Sequence, residues 1–541
     1  MAVAVGPDLP DSTHFALSVN ITQTPPVNPA TNGDRVLAIC DVLGGGTARR
    51  RCREGSLRET TGRIRRWEAG TLSHAVSDPY GQGPLPWLRS SEGHFYDAGY
   101  ALPAQRVDSA PSGPRTADDV GCQIKGFVSE GAVEPGQALD FRVTVDPPQE
   151  FTIDVYRIGH FAGDGAQLLL RSPKLMGIRQ PQPLVAGRTV SCHHWWLSWR
   201  LQVPPDWQPG AHVAVLTTAD GAYRSHVPFA VRDDRPADLL LVLPDVTWQA
   251  YNLFPEDGQA GASLYHGWDA GGRLLGEQEA SVTVSFDRPY AGAGLPLHAG
   301  HAYDFIRWAE GYGYDLSYAT ARDLHAGRVD ADRYRGLVFS GHDEYWSVPM
   351  RRAVEDAREI GTSLVFLAAN SMYWQVSLGP LPSGDPDRLL HCRKRQGPGR
   401  PVLWREQGQP EQLLLGIQYA GRVPRPQPLV VRNAGHWLWE ATGAREGQEL
   451  PGLVAGEADR YFPRTPLPDT LSRVLLAHSP FEDENGARRH QQTSLYQASS
   501  GAWVFASGTF AWSPALARPG HTDARIQRAT ANLLDRICKR D

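Results

Sequence analysis

Apolar residues follow three regimes along the chain. Over residues 1–115 they show little periodicity; Pro, Gly, Ser, Thr and Arg dominate, and 105–118 (QRVDSAPSGPRTAD) has the composition of a linker. This stretch reads as a loop-rich N-terminal arm. Over 116–235 the pattern turns to period two. Phe141, Val143 and Val145 alternate with polar residues, as do Phe151, Ile153 and Val155. Trp195, Leu197, Trp199, Leu201 and Val203 repeat it, followed by Val227, Phe229 and Val231. Turn-forming clusters such as VEPGQ and WQPG separate these runs, so the segment predicts half-buried antiparallel strands in a β-sandwich.

From 236 the regime changes again. Leu239–Leu243 (LLLVL) is continuously apolar, as a central parallel strand is. The stretch 301–313 places Phe305, Trp308, Ala309 and Tyr312 on one helical face and ends at a glycine. Further strands are expected at 315–318, at 336–340 (GLVFS) and at 363–368 (SLVFLA). Between the last two, Ser347 can cap a helix carrying Met350, Ala353, Val354, Ala357 and Ile360, stopped by Gly361. Strands alternating with helices over 236–541 predict an α/β domain with a mostly parallel sheet.

Composition narrows the function classes. The chain has 541 residues and a net charge of −5, which argues for no polyanion-binding face and no nucleic-acid partner. No apolar run reaches the ~18 residues that a membrane-spanning helix needs, and the start lacks a basic n-region, so a cytoplasmic protein is expected. Its six cysteines (Cys40, Cys52, Cys122, Cys192, Cys392, Cys538) form no CxxC pair and are expected to be free thiols. The long arm is compatible with a homo-oligomer. Its basic tract at 62–70 (GRIRRWEAG) reads as a solvated or inter-domain surface.

In α/β sheets, sites form at the carboxyl ends of strands. Three strand ends carry polar clusters: 244–252 (PDVTWQAYN), 341–346 (GHDEYW) and 369–374 (ANSMYW). The densest is GHDEYW, in which His342 and Glu344, two residues apart, face the same way in an extended turn. A carboxylate ligand beside a histidine that can move protons is the minimum for metal-assisted hydrolysis. The competing reading is a helix N-terminus that favours acidic residues. Other histidines invite blander readings. His193 and His194, adjacent in a strand, would point to opposite faces. His298 and His301 (HAGH) would cap a helix or lie at the surface, and His391-Cys392 would be surface too. HExxH, GxSxG, P-loop and GxGxxG signatures are absent.

At these residues the sequence resembles the large subunit of N,N-dimethylformamidase and its relatives, over about 118–541, including VYRIGHFAGDGAQLL at 155–169. The resemblance implies a lectin- or Ig-like β domain ahead of an α/β domain whose sheet is like that of class I glutamine amidotransferases. It implies a mononuclear Fe(III) held by two tyrosines and one glutamate, and hydrolysis of a small amide. Residue by residue, Glu344 matches the carboxylate ligand, His342 the catalytic histidine, Tyr251 the first tyrosine and Asn370 a pocket asparagine. Tyr265 of ASLYHGWD is the second tyrosine, with Tyr290 of SFDRPY as its rival. A distal catalytic glutamate falls on Glu457, with Glu482 and Glu484 as alternatives. Hard anionic oxygen donors suit ferric iron, and three of them leave positions for water and a carbonyl. Two other classes stay open: a carbohydrate- or partner-binding protein with a degenerate α/β domain, and another metal-assisted reaction on a biosynthetic intermediate.

Overall fold

A computed structural model describes residues 37–41, 51–55, 114–394 and 403–539. The arm expected over 1–115 therefore lies mostly outside the described residues, as do its basic tract and most of its linker. Within it, β1 (Leu37–Asp41) and β2 (Arg51–Gly55) pair antiparallel, with Cys40 opposite Cys52 in the register. The hairpin belongs to one compact unit, and everything from 114 onward belongs to another.

That second unit is rich in strands and has few helices. Its first part packs two sheets face to face. One holds β3 (Lys125–Val128), β4 (Ala138–Thr144) and β7 (Trp199–Gln202), with β4 in the middle. The other is built on β9 (Tyr223–Val231), β8 (Gly210–Thr218), β5 (Glu150–Ile158) and β6 (Ala166–Arg171), in that spatial order. Alternate residues meet between them: Phe141, Val143, Phe151, Ile153, Val155, Leu216 and Phe229 form one buried cluster. Each side chain of this size contributes about 1.5–3 kcal/mol on burial. The alternation expected across 195–203 starts later than expected. The strand begins at Trp199, and Leu197 is exposed. His193 and His194 lie in a turn before it, with the His193 ring against the Ser191 hydroxyl. Trp195 ends the turn by donating through Nε1 to the Pro181 carbonyl, which breaks the period-two pattern.

The second part is a seven-stranded sheet ordered β11 (Leu316–Thr320), β10 (Ala237–Leu243), β12 (Tyr334–Phe339), β13 (Ser363–Phe366), β18 (Trp503–Ala506), β17 (Ser494–Ala498) and β16 (Thr470–Leu475). The first five strands are parallel; β17 runs antiparallel to them, and β16, antiparallel to β17, returns to their direction. Because strand side chains alternate, β10 feeds two cores. Leu239, Leu241 and Leu243 join helices α2 (Ala299–Tyr312) and α4 (Ala524–Cys538) on one face. Leu240 and Val242 join α3 (Val348–Glu359) on the other. Burial on both faces explains the unbroken LLLVL run. Ser347 caps α3 as expected, accepting from the Met350 amide at 3.4 Å.

The apolar core does not stop near 235. Ile158, Val213 and Val215 of the sandwich lie in the same cluster as Leu239, Phe305 and Trp308. Across the same boundary Arg157 pairs with Glu310 at 2.6 Å, and the Tyr318 hydroxyl donates to that carboxylate at 2.9 Å. A long twisted ribbon of β14 (Gln418–Val430) and β15 (Glu449–Arg460) leans over the carboxyl edge of the sheet. Of the described cysteines, Cys122, Cys192 and Cys392 are free thiols, and Cys392, expected at the surface, is buried. The thiols of Cys40 and Cys52 lie outside what is described. Among the described residues no helix is long and apolar enough to cross a membrane.

Candidate active site

The three polar clusters meet at the carboxyl end of the sheet. After β10 the chain turns into a short helix, α1 (Asp245–Tyr251), whose last residue is Tyr251. β12 ends before Gly341, whose φ of +114° favours glycine, and the chain then presents His342, Asp343 and Glu344. β13 ends before Asn370, held in the left-handed region at φ +53°, a conformation that asparagine tolerates better than most residues. Its backbone N–H donates to Asp459 Oδ1 at 2.8 Å, which fixes that turn to the ribbon.

Around Glu344 the contacts converge. The Tyr251 hydroxyl donates to Glu344 Oε2 at 2.5 Å, and His342 Nε2 lies 3.1 Å from the same hydroxyl. His342 Nε2 is 3.3 Å from Glu344 Oε2, and Asn370 Nδ2 donates to Glu344 Oε1 at 3.1 Å. On the far side of the imidazole, His342 Nδ1 faces Glu457 Oε2 at 4.0 Å. The ring of Tyr265 is 5.3 Å from that of Tyr251, and Phe510 covers His342 at 4.8 Å. Thr247 anchors the loop from α1. Its hydroxyl accepts from the Glu344 and Tyr345 amides at 3.0 and 3.1 Å and donates to Asp343 Oδ1 at 3.3 Å.

Tyr251, Tyr265, His342, Glu344, Asn370 and Glu457 thus share one site. Tyr290 does not. It packs at the junction of sandwich and sheet, lining a cavity with Asp245, Trp248 and Arg322. Glu482 and Glu484 are exposed on a separate hairpin, where Glu484 pairs with Arg422 at 3.0 Å.

The site is crowded with acids. Burial, and then the repulsion of Glu344, hold the Tyr251 phenol well above its ordinary range. Burial and the neighbouring Glu344 charge push Glu457 up to about 7, against the opposing pull of His342. Burial first, and then neighbouring carboxylates (Asp245 for Asp343, Glu457 for Asp459), raise Asp343 and Asp459 to about 7 each. Burial would lower His342, but its bond to Glu344 and the Glu457 charge outweigh that, and its pKa is raised. Glu344 moves the other way: burial opposes its ionisation, yet His342 holds it below the usual carboxylate range. Among the described residues no group of three or more His, Cys, Asp or Glu side chains is poised as a metal cluster. The donors that converge are phenols and carboxylates.

Several participants are not evident from spacing. His298 and His301 are not surface caps: their rings stack at 5.8 Å, His301 is fully buried, and His298 lies 5.6 Å from His342. His298 makes no side-chain cap because its own backbone is left-handed, at φ +67°. Asp459 sits two residues beyond Glu457 on one strand, a spacing that places both on one face. Lys394, just past β-strand Leu389–His391, lays its ammonium 4.3 Å from the Tyr265 ring centroid. Lysine occurs four times in the whole chain, so its presence here was the available signal.

The sequence of this region is similar to that of known proteins. Residues 152–525 match the family model described as N,N-dimethylformamidase beta subunit-like, C-terminal. A relative from Paracoccus aminophilus, named N,N-dimethylformamidase beta subunit, is 26% identical over 281 residues, covering 43% of this chain and 36% of the relative. One of the same name from an Alcaligenes species is 25% identical over 281 residues, with the same coverage. The match therefore spans just over a third of the length of these relatives. The family model, by contrast, takes in well over half of this chain, from β5 of the sandwich to the start of α4, and with it every strand end that builds the site. The chain belongs to the N,N-dimethylformamidase beta subunit-like family.

Proposed function

We propose that the protein hydrolyses the C–N bond of a small N-substituted amide or formamide, using a ferric ion held by Tyr251, Tyr265 and Glu344. The observation that carries this reading is the Tyr251 hydroxyl, which bonds both Glu344 and His342 inside a pocket of mutually repelling acids. Burial and the Glu344 charge raise both Tyr251 and Glu457, so the ionised forms of these two acids call for a further positive charge beside them. A hard trivalent cation would supply it and would favour the phenolate form of both tyrosines. When bound, ferric iron would contribute Lewis acidity toward a carbonyl and a water.

The remaining work falls to the chain. Asn370 fixes Glu344 through its side-chain amide. His342 lies between Glu344 and Glu457, so it can take a proton from the attacking water and hand it to the departing amine nitrogen, with Glu457 holding the Nδ1 side. The products are a carboxylic acid and an amine. Phe510 shields His342 from solvent. Within this reading the chain divides into a lectin- or Ig-like sandwich over 116–235 and an amidotransferase-like α/β domain over 236–541. The names of the relatives make them one subunit of an assembly, and we extend to this chain an assembly with further chains, homo-oligomeric or otherwise.

The test is metal analysis and a visible spectrum of protein produced with iron, with amine release assayed on N-methylformamide. Iron near one equivalent and a phenolate charge-transfer band are expected. Tyr251→Phe, Tyr265→Phe and Glu344→Gln should each bleach the band, whereas Tyr290→Phe should not. His342→Gln should keep iron and lower turnover by about 100-fold or more. Colourless, iron-free protein after supplementation would refute the metal. A band lost in Tyr290→Phe and kept in Tyr265→Phe would reassign the second ligand.

A further inference from the structure

We infer that Lys394, with Tyr345 and Trp374, forms a subsite for a carboxylate carried by the substrate beyond its scissile amide. The inference rests on the amide-hydrolase reading above and adds to it a substrate class. The Lys394 ammonium lies among three aromatic rings, with centroids at 4.3 Å for Tyr265, 4.7 Å for Trp374 and 4.9 Å for Tyr345. Such contacts offset part of the cost of desolvating a cation. They provide no hydrogen-bond acceptor. Among the described residues Lys394 Nζ is buried without one, and so are the Tyr345 hydroxyl and Trp374 Nε1, on two of the rings that face it.

Buried donors left unpaired are costly, and here three belong to the ammonium and to two of the rings around it. The ammonium can donate three hydrogen bonds, the indole one and the phenol one. The acids whose fields reach the ammonium are Glu344, Glu277 and Glu457, with the Cys392 thiol beside them, and none of them bonds to it. Glu344 is already taken by Tyr251 and Asn370. One positive charge with two neutral donors matches a monoanion with two oxygens, which is a carboxylate.

Placement ties this subsite to the chemistry. Tyr265 turns one side to the ammonium and lies 5.3 Å, ring to ring, from Tyr251. Lys394 is therefore one aromatic ring away from the Tyr251–Glu344–His342 cluster. A single small molecule can place its amide beside His342 and its carboxylate at Lys394, as an N-acylated amino acid of glycine size would.

The experiment compares N-formylglycine with its neutral analogue N-formylglycinamide, by calorimetric binding and by kcat/KM, on the full iron-loaded chain. The wild type should favour the carboxylate by about tenfold or more, the range of a hydrogen-bonded charge. Lys394→Met should bring the ratio close to one, Lys394→Arg should keep part of it, and Tyr345→Phe, a one-atom change safe for folding, should reduce it by about threefold or more. A wild type without preference, or a preference that survives both Lys394→Met and Tyr345→Phe, overturns the subsite. Carboxylate-selective binding that depends on Lys394, without turnover of either compound, would sink the hydrolase reading and leave the subsite standing. Turnover of both without preference would do the reverse.

Discussion

Thr247 holds the loop of Asp343 and Glu344 to the helix that carries Tyr251, and replacing it with valine isolates that one link. Valine has nearly the same shape, so packing is conserved while the hydroxyl disappears. Two amides, those of Glu344 and Tyr345, would lose their acceptor at 3.0 and 3.1 Å, and Asp343 would lose a donor at 3.3 Å. Glu344 is 3% exposed and Tyr345 fully buried, so water cannot replace the hydroxyl. An unpaired buried N–H costs about 1–3 kcal/mol. Two of them give about 2–6 kcal/mol, and the added methyl recovers about 1 kcal/mol of burial. The net expectation is a loss of about 3 kcal/mol. Urea unfolding of Thr247→Val measures it, with Thr247→Ser as reference because serine retains the hydroxyl. Amine release and iron content of both variants show whether the loop keeps its place. A valine variant within about 1 kcal/mol of the serine variant would mean that the loop is held from elsewhere.

His212 is fully buried, its ring stacked between Trp207 at 5.4 Å and Phe229 at 5.2 Å, and burial lowers its pKa to about 3. The unfolded chain takes up this proton below its ordinary value of 6.5 and the native state does not. Stability from this group is therefore lost as the pH drops below 6.5 toward 3, by about 1.4 kcal/mol per pH unit. In His212→Phe the acid limb of stability between pH 6.5 and 5 should be flatter than in the wild type, and parallel curves would refute the assignment. Gly456 has φ +69°, and a Cβ there would sit 2.6 Å from the Phe510 ring that covers His342. Gly456→Ala should cost about 2–4 kcal/mol and reduce turnover. Adding Phe510→Leu should restore part of the stability, and simple additivity in that double-mutant cycle would contradict the contact.

Elements set by local pattern were legible in the sequence, and those set by distant contact were not. The LLLVL strand, the helix behind Ser347 and the alternations at 141–145 and 151–155 each follow from a period or a cap. His342 and Glu344 were readable as a pair because two residues suffice to bring side chains to one side of an extended turn. The segment 244–252 read only as a polar strand end, yet it forms helix α1, because Thr247 and Asp245 find partners in chain segments roughly 75–100 residues away. The tyrosine question had the same origin. Tyr265 and Tyr290 look alike in sequence, and only the path of the intervening loops brings one ring to Tyr251 and packs the other at the sandwich junction. His298 and His301 were misjudged because HAGH is polar in composition, while its surroundings are supplied by Phe510, two hundred residues on.

The continuous core between sandwich and sheet bears on how such a protein could arise. Modules that travel between genes usually carry a polar skin all round, whereas here β5 and β8 supply apolar side chains to the helices that back the parallel sheet. The Arg157–Glu310 pair would also leave a half-buried carboxylate on the α/β side if the two parts were separated. The family match accordingly begins at residue 152, inside β5, and not at the start of the parallel sheet. The part of the sandwich from β5 onward thus belongs to the heritable unit of this family, so recombination that preserves the fold should leave the junction near 235 intact.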